Sequence, residues 1–397
     1  MWASSGKATY EDGSAATKPT LVLVSGDATK RTRNSMSRSS GDRATARTNE
    51  FELVWTHKFE QIGALIGIVS LPIHGDYEAY LIRHFIPHSA QDAYDALRTL
   101  NLELARLPET VSNPTIGRFR MQFWRDSVNS TFAGNPPREP ISVLLHSAIT
   151  NLAARTGGGS ASSLKFWLLR LINTREKHME NKPFTNLAAL EDYAENTYAT
   201  LMYMTLAAMP LQSVHMDHLA SHIGKAYGIA ASLRGIPILA APSQPIQGPS
   251  GSSVGSTRSP ALLLPLDVMA GVGLKEEDVF RRGPNAEGLQ DAVFQVATRA
   301  NDHLITAREM LKNLQAGHEP GHDYEHQEEP EHAHFGTVHD GEDTKLDIQR
   351  GFSVLLEAVA AGDYLQRLEN ANFDPFKVKS SWKLPWGLWK SLRRHEI

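Results

Sequence analysis

Hydrophobic side chains recur with helical spacing from about residue 76 to residue 368. Between 89 and 107, apolar or aromatic residues occur at 93, 94, 97, 100, 104 and 107, which places them on one face of a helix that ends before Pro108. The same spacing predicts further helices over 76–86, 115–134, 140–154, 161–179, 186–209, 214–234, 267–271, 276–281, 288–315 and 346–368. No convincing run of alternating strand residues interrupts them, so the sequence predicts an all-α fold, one large helical bundle.

The helix predicted over 214–234 has an unusually small surface. Gly224 and Gly228 lie one turn apart, and two alanines and a serine follow at 230–232. Small side chains let a helix backbone approach its neighbour closely. We therefore expect this helix to sit tightly against another part of the bundle.

The end of the same helix carries one arginine. We expect the helix to stop at Gly235 and Pro237, directly after Arg234. No Asp or Glu occurs between Asp217 and Asp267, so Arg234 has no carboxylate partner nearby in the sequence. Two interpretations remain, an anionic ligand or a buried structural contact, and we favour the contact.

Two stretches of the predicted domain, which spans 76–397, lack helical periodicity. Residues 241–260 are rich in Pro, Gly and Ser, and residues 316–345 are acidic and rich in histidine. Both are predicted to be mobile loops. Histidine and carboxylate are metal-ligand types, but their irregular spacing favours a solvated loop over a chelating one.

The first 75 residues differ from the rest and are predicted to be a disordered basic segment. Residues 28–49 contain six basic residues, one acidic residue and many Ser and Thr. That composition is typical of a mitochondrial targeting segment, and a disordered basic tail is the alternative. The longest apolar stretch, 62–73, has 12 residues and is too short to span a bilayer, which needs about 20.

Charge and cysteine content narrow the classes of function. The formal net charge is −4, so composition gives no case for a nucleic-acid partner. Residues 316–344 hold nine acidic residues and no Lys or Arg, and so contribute −9 to the net charge. The rest of the chain therefore carries a net charge of +5, which is −4 minus −9. The absence of cysteine excludes disulfides, thiolate nucleophiles and Cys-based metal sites.

Two groups of polar residues are candidates for a site. His215, His218 and His222 share a helix face, and the last two could share a metal ion, although hydrogen-bonded helix histidines are the favoured interpretation.

The second group lies in 190–206. Glu191 and Glu195 also share a helix face, and Glu191, Tyr193 and Asn196 could line a polar cleft. An exposed acidic first turn explains the carboxylates equally well.

The C-terminal tail combines tryptophan with basic residues. Trp382, Trp386 and Trp389 occur at positions i, i+4 and i+7, interleaved with Lys and Arg. Tryptophans of this kind anchor at a lipid interface, and basic side chains favour anionic headgroups. A tail packed on the bundle is the alternative.

Five longer blocks occur in a recognisable order. They are IGRFRMQFWRDSV (116–128), NPPREPISVLLHSAI (135–149), REKHMENKPFTNLAALEDYAENTYATLMYMTLAAM (175–209), HIGKAYGIAASLRGIPIL (222–239) and LLLPLDVMAGVGLKEEDVF (262–280). Together they resemble the squalene/phytoene synthase family, over roughly 76–376. The resemblance implies an isoprenoid-synthase-type helical bundle around a central cavity, lined by the small-faced helix and by Tyr193, Asn196, Tyr227 and Arg234.

Catalysis in that family depends on two aspartate-rich helices whose carboxylates hold Mg²⁺, which binds and ionises a prenyl diphosphate. The first motif aligns with Ala105, Arg106 and Glu109, and the second with Gly235 and Leu239. At most one of the expected carboxylates remains. The resemblance therefore implies a pseudo-enzyme, for which we expect no metal and no cofactor.

The eroded motifs are similar to a branch of the family that assists the assembly of mitochondrial complex I. That similarity implies a non-catalytic protein, peripheral on the matrix side of the inner membrane. Its expected partners are complex I subunits or other assembly factors, and a lipid or isoprenoid is a candidate ligand of the cavity. The alternative is an active prenyl transferase that condenses isoprenyl diphosphates with altered metal ligands.

Overall fold

A computed structural model of the protein describes residues 76–111, 113–156, 161–241, 259–321 and 341–397. The predicted targeting segment, 1–75, lies outside the described residues. So do 242–258 and 322–340, which make up most of the two predicted loops.

Within the described ranges the chain is helical and contains no strand. The helices are α1 (Tyr77–Arg83), α2 (His88–Thr110), α3 (Pro114–Phe132), α4 (Pro140–Thr156), α5 (Ala161–Lys177), α6 (Leu187–Ala194), α7 (Thr200–Ala208), α8 (Val214–Leu239), α9 (Leu266–Gly271), α10 (Glu276–Arg282), α11 (Leu289–Ala316), α12 (Gly341–Leu355), α13 (Glu357–Asn370) and α14 (Leu384–Arg394). A π-helical turn, Glu195–Ala199, joins α6 to α7, and a short 3₁₀ turn, Gly283–Asn285, follows α10.

Helix α8 lies at the centre of the bundle. It packs against α11, α13, α12 and the continuous segment formed by α6, the π-helical turn and α7. Most of its side chains from Met216 to Ile236 are buried. A helix that is apolar on all sides is stable only when other elements surround it. Burial around the whole circumference explains why the sequence of α8 shows no polar face.

The small surface of α8 meets the backbone of its neighbour. A Cβ atom added at Gly224 would lie 2.3 Å from Ala199 Cα, and one added at Gly228 would lie 2.5 Å from Ala194 Cβ. Such distances leave no room for a methyl group. The close approach expected from the sequence is confirmed, but the two glycines contact a packed helix, whereas we expected them to line a cavity.

The π-helical turn places a buried carboxylate between two helices. The Glu195 side chain accepts hydrogen bonds from the Tyr203 hydroxyl (2.5 Å) on α7 and from the Ser221 hydroxyl (2.7 Å) on α8. The Thr200 hydroxyl donates to the backbone carbonyl of Glu195. π-helical turns widen the helix locally and are frequent where side chains need special placement. Here the turn joins α7 and α8 through one carboxylate, which is therefore not part of an exposed acidic turn.

Two helices continue through prolines at which we expected them to stop. Helix α8 runs past Gly235 and Pro237 to Leu239, and α2 runs past Pro108 to Thr110. Proline removes one hydrogen bond and crowds the preceding turn, which a helix tolerates near its end because few later residues depend on it. The amides of Ala240 and Val111 still bond back to the carbonyls four residues earlier.

The C-terminal third differs from prediction in two further ways. The single helix predicted over 346–368 is two helices, because the chain bends at Leu356 and α13 begins at Glu357. The first, α12, begins at Gly341, so 341–345 belong to a helix and not to the predicted loop. The tryptophan-rich tail also forms a helix, α14, which the periodicity had not indicated.

Candidate functional site

Arg234 has a carboxylate partner, Glu78, that lies near the N-terminal end of the domain sequence. Arg234 Nη1 lies 2.5 Å from Glu78 Oε1, and the Tyr227 hydroxyl donates to Glu78 Oε2 at 2.6 Å. Asp76 accepts a hydrogen bond from the backbone amide of Ala79 and caps α1, on whose buried face Glu78 lies. Because Tyr227 and Arg234 are seven residues apart on α8, both reach the same carboxylate. Arg234, whose side chain is 37% exposed, thus forms an ion pair within the fold.

Aromatic rings surround this ion pair. The Arg234 guanidinium lies 5.6 Å from the ring centroid of Tyr227 and 5.3 Å from that of Tyr364 on α13. Burial, followed by the charge of Glu78, raises the pKa of Tyr227 well above its ordinary value. Burial likewise raises the pKa of Tyr364 to about 12. Both hydroxyls therefore remain protonated, and that of Tyr227 donates to Glu78.

A second interior arginine forms an ion pair with a distant helix. Arg98 on α2 is buried, contacts the Glu357 carboxylate at the start of α13, and lies 4.0 Å from Asp76. Its guanidinium also lies 5.1 Å from the ring centroid of Tyr94. Both side chains of the Arg98–Glu357 pair are 2% exposed, so neither charge has water as an alternative partner.

A third interior arginine is held by neutral oxygens. Arg175 on α5 donates to the Tyr193 hydroxyl and, at 2.7 Å, to the Asn101 side-chain carbonyl. It also lies 5.6 Å from the ring centroid of Tyr198, which is in turn 5.4 Å from the Tyr227 ring. This ring contact links Arg175 to the Arg234 pair. We call Arg98, Arg175 and Arg234 the arginine cluster.

The arginine cluster joins three of the four residues that the family resemblance had placed on a cavity wall. Arg234 belongs to it, Tyr193 bonds to Arg175, and Tyr227 shares the Glu78 carboxylate with Arg234. Asn196 is bonded elsewhere. Its side chain accepts a hydrogen bond from Arg170 and donates to Asp192 at the side of α6. Asn196 therefore lies outside the group of contacts around the arginine cluster.

Sequence reasoning missed the partners of these residues. Glu78, Arg98, Arg175 and Glu357 were not candidates, although all four are buried. A signal existed for Arg98 and Asn101, because both interrupt the apolar face of α2, four residues after Tyr94 and Leu97. A charged side chain on an apolar helix face requires a buried partner.

One of the three predicted helix histidines, His222, belongs to a hydrogen-bonded chain. His222 Nδ1 lies 3.1 Å from His303 Nδ1, and His303 Nε2 lies 2.8 Å from Glu191 Oε1. The His218 and His222 rings are 5.2 Å apart. At 3.1 Å, one of the two ring nitrogens donates a hydrogen bond to the other. In the part of the chain that the structure describes, no group of three or more His, Asp or Glu side chains could hold a metal ion.

Glu191 is the acidic end of that chain. It also accepts a hydrogen bond from Arg299 on α11. Burial alone would raise the pKa of Glu191, but the hydrogen bonds and charges of His303 and Arg299 outweigh it and lower the pKa to about 2. The carboxylate is therefore ionised at neutral pH and stabilises the contact between α6 and α11.

The five positions aligned with the aspartate-rich motifs lie in the last turns of two helices. Ala105 and Arg106 are half-buried on α2, and Glu109, on the same helix, is exposed. Gly235 and Leu239 are half-buried on α8. Glu109 is the only carboxylate among the five, and a pair of metal clusters needs several.

Two further features lie at the C-terminal end of the domain. A groove of about 760 Å³ runs between α11, α13 and α14, lined among others by Phe294, Arg308, Leu365 and Lys390. Next to it, Trp382, Trp386 and Trp389 are 77%, 67% and 45% exposed. Among the described residues, no helix is both long enough and apolar enough to cross a bilayer.

Comparison with known proteins places this bundle in a family. The family model described as squalene/phytoene synthase matches residues 74–390. Relatives named "NADH dehydrogenase (ubiquinone) complex I, assembly factor 6" are 34% identical in Rattus norvegicus and 31% identical in Homo sapiens. Each match extends over 303 residues, which is 76% of this chain and 72% of the relative. A homologue of the same name in Drosophila melanogaster is 29% identical, over 75% of this chain and 73% of the relative.

Solved structures agree on the fold. The squalene synthase HpnC from Alicyclobacillus acidocaldarius superimposes with a TM-score of 0.53 at 13% identity, over 80% of this chain and 97% of that one. A dehydrosqualene synthase crystallised with a ligand gives 0.55 at 13% identity, over 85% and 97%. Both are all-α isoprenoid synthases, so the predicted fold class is confirmed. From the match over 74–390 and the shared fold, we conclude that this chain belongs to the squalene/phytoene synthase family.

Proposed function

We propose that this protein is a non-catalytic assembly factor for respiratory complex I. The observation that carries the proposal is the 34% identity, over 303 residues, to a relative whose name is complex I assembly factor 6. The match spans 72% of that relative, so it is not confined to one motif. The direct partners would be complex I subunits or other assembly factors.

The interior of the bundle supports a non-catalytic role. Ionisation of a prenyl diphosphate requires several carboxylates that hold Mg²⁺ against the leaving group. Only Glu109 remains at the aligned positions, and Arg106 adds positive charge there. Two members of the arginine cluster are already neutralised by Glu78 and Glu357. An incoming diphosphate would have to displace these carboxylates from their ion pairs.

The proposed location is the matrix side of the mitochondrial inner membrane, with peripheral attachment. Residues 28–49, with six basic residues and one acidic residue, support a targeting role for the segment 1–75. The globular domain would then be 76–397. Fractionation of cells that express the full chain tests this location, and we expect it in mitochondria, extractable by alkaline carbonate. A full chain found only in the cytosol contradicts it.

The assembly role is tested by deletion of the gene, followed by native-gel analysis of the respiratory complexes. Assembled complex I should be depleted, while the other complexes and the sterol and carotenoid levels remain unchanged. Expression of the full chain in the deleted cells should restore complex I. Normal complex I after deletion would refute the proposed function.

The alternative, an active prenyl transferase, is separated by a direct assay. The purified full chain is incubated with farnesyl or geranylgeranyl diphosphate and Mg²⁺, beside a bacterial squalene synthase as positive control. We expect no release of pyrophosphate from a sample whose circular dichroism spectrum is that of a folded helical protein. Turnover above the no-enzyme rate would establish the alternative.

A further inference from the structure

Helix α14 has two faces of opposite character. Leu384, Leu388 and Ser391 are buried and attach the helix to α13. The opposite face is exposed and carries Trp386 and Trp389, with Trp382 just before the helix. The tail thus packs on the bundle and presents tryptophan at the same time.

The charge of the exposed face has one sign. Lys383, Lys390, Arg393 and Arg394 are all exposed, and Leu384–Arg394 contains no Asp or Glu. Lys383, Lys390 and Arg394 lie where this face meets the groove, whose lining they share with Glu369 and Glu396. Among the residues described in the structure, none of these four cations forms a salt bridge. Two of them lie against tryptophan instead, Lys383 at 5.8 Å from the Trp382 centroid and Arg393 at 5.0 Å from the Trp389 centroid.

This combination favours a membrane over a protein as the occupant. Tryptophan and arginine are enriched in protein–protein interfaces as well, but lysine is depleted there. Tryptophan interleaved with both lysine and arginine is typical of helices that lie in the lipid headgroup region. The exposed tryptophans are large amphipathic rings that reach the level of the headgroups. The unpaired cations complement lipid phosphates.

A second exposed aromatic surface, on α3, differs in its residue types. On α3, Ile116, Phe119 and Phe123 are 45%, 71% and 46% exposed. They include no tryptophan. Arg118 and Arg120 beside them are exposed, and Arg125 is bonded to Glu176. This α3 surface provides a matched control for tryptophan, because it combines comparable aromatic exposure with exposed arginines but carries no exposed tryptophan.

We propose that the outer face of α14, with Trp382, docks in the plane of an anionic phospholipid bilayer. The three tryptophans enter the headgroup region, and the four cations contact lipid phosphates. Leu384 and Leu388 keep the helix attached to α13, so docking requires no rearrangement of the bundle. This inference rests on the proposed function for its biological setting, the mitochondrial inner membrane. Binding to lipid vesicles can nevertheless be measured on the purified chain, whatever its role in assembly.

The test is flotation of the purified full chain with vesicles of phosphatidylcholine alone or of phosphatidylcholine mixed with phosphatidylglycerol. We expect binding to the mixed vesicles that falls as salt is raised, because counter-ions screen exposed charges. The double variant Trp386→Ala/Trp389→Ala should bind at least tenfold more weakly. Each basic residue contributes roughly fivefold near an anionic surface, so Lys390→Glu/Arg393→Glu should remove the preference for phosphatidylglycerol.

Three controls make the result specific. The α3 variant Phe119→Ala/Phe123→Ala should bind as the unmodified chain does. Thermal unfolding followed by circular dichroism should give the same midpoint for the α14 variants, since the substituted side chains are exposed. Brominated lipids should quench tryptophan fluorescence in the unmodified chain and much less in the double tryptophan variant.

Several outcomes would overturn the proposal. They are no binding to either vesicle, equal and salt-independent binding to both, or equal loss of binding in the α3 variant. Failure of the proposed function is distinguishable. Normal complex I after gene deletion, together with intact vesicle binding, removes the assembly role and leaves the docking surface in place. Restoration of complex I by a tryptophan variant that no longer binds vesicles shows that assembly does not need this surface.

Discussion

The arginine cluster and the outer face of α14 use the same residue types for opposite purposes. In the bundle, Arg234 lies between two tyrosine rings and forms an ion pair with the buried Glu78. On α14, Arg393 lies over the Trp389 ring and has no carboxylate partner among the described residues. The two arginines differ in whether a carboxylate neutralises them, because in the described part of the chain only Arg234 has one. An arginine whose charge is neutralised within the fold holds helices together, and one whose charge remains available can recognise an anion.

Burial makes the two regions energetically unlike. Removal of one member of a buried ion pair leaves an uncompensated charge and costs about 3 to 5 kcal/mol, whereas substitutions of exposed side chains stay within about 0.5 kcal/mol. The free energy of unfolding should therefore respond strongly to the cluster and hardly to the outer face of α14. Membrane binding should show the reverse.

The largest expected effect is that of Arg98→Ala. Glu357 would remain buried without a partner, so the free energy of unfolding should fall by about 3 to 5 kcal/mol, enough to unfold a marginally stable domain. Denaturant unfolding followed by circular dichroism measures it. Arg393→Ala is the matched arginine and should change stability by less than about 0.5 kcal/mol.

If Arg98→Ala fails to fold, the double variant Arg98→Leu/Glu357→Leu keeps the prediction testable. Replacement of both charges by apolar groups should recover most of the loss. Equal stability of Arg98→Ala and Arg393→Ala would contradict the distinction between the two regions.

A smaller loss of stability should distinguish the buried face of α14 from its exposed face. Leu388 is fully buried, so Leu388→Ala should destabilise the attachment of α14 by about 2 to 4 kcal/mol. Trp386 is 67% exposed, and Trp386→Ala should cost less than about 0.5 kcal/mol. Amide hydrogen exchange within 384–394 is the measurement, because a terminal helix can detach without global unfolding. Faster exchange in Trp386→Ala than in Leu388→Ala would show that the faces have been assigned in the wrong order.

The smallest expected loss of stability is that of a substitution at Glu191. Its ion pair is neither fully buried nor fully exposed, because its partner Arg299 is 42% exposed. The pKa of Glu191 is lowered to about 2, so its ionised form favours the folded state. This contribution is fully present above the ordinary pKa near 4.5 and is lost as pH falls through about 2. Glu191→Gln should cost about 1 kcal/mol at neutral pH, a value that allows for screening by water.

The pH profile supplies the check. The difference in free energy of unfolding between the unmodified chain and Glu191→Gln should be constant above pH 4.5 and shrink between pH 4.5 and pH 2. Glu277→Gln is a control, because Glu277 is exposed and pairs with Arg281 within one helix. A difference independent of pH over this range would mean that Glu191 acts through its shape and not its charge.

Helical periodicity predicted most of the fold because it depends on residues three and four apart. The helix bounds differ from prediction by a few residues except at Pro108, at Pro237 and at the bend at Leu356. At the two prolines, packing determines where the helix ends, since a helix held on several sides tolerates a proline in its last turns. Helix α14 was not among the predicted helices, although its tryptophans at i, i+4 and i+7 have helical spacing.

The interior site was far less predictable. Arg234 has no acidic residue near it in sequence, and its partner Glu78 lies 149 residues before Tyr227, which bonds to the same carboxylate. Local spacing carries no information about a contact at that separation. Arg98 gave a partial signal as a charge on an apolar face, but nothing in the sequence indicated that Glu357 would neutralise it.

The long-range ion pairs have a consequence for the order of synthesis. Glu78 and Arg98 leave the ribosome well before Arg234 and Glu357, so the first helices emerge with charges that have no partner yet. The bundle can close only when α8 and α13 arrive. Contacts so distant in sequence slow folding. A nascent chain that stalls before α13 would therefore keep Arg98 without Glu357, a state that chaperones must hold and proteases can recognise.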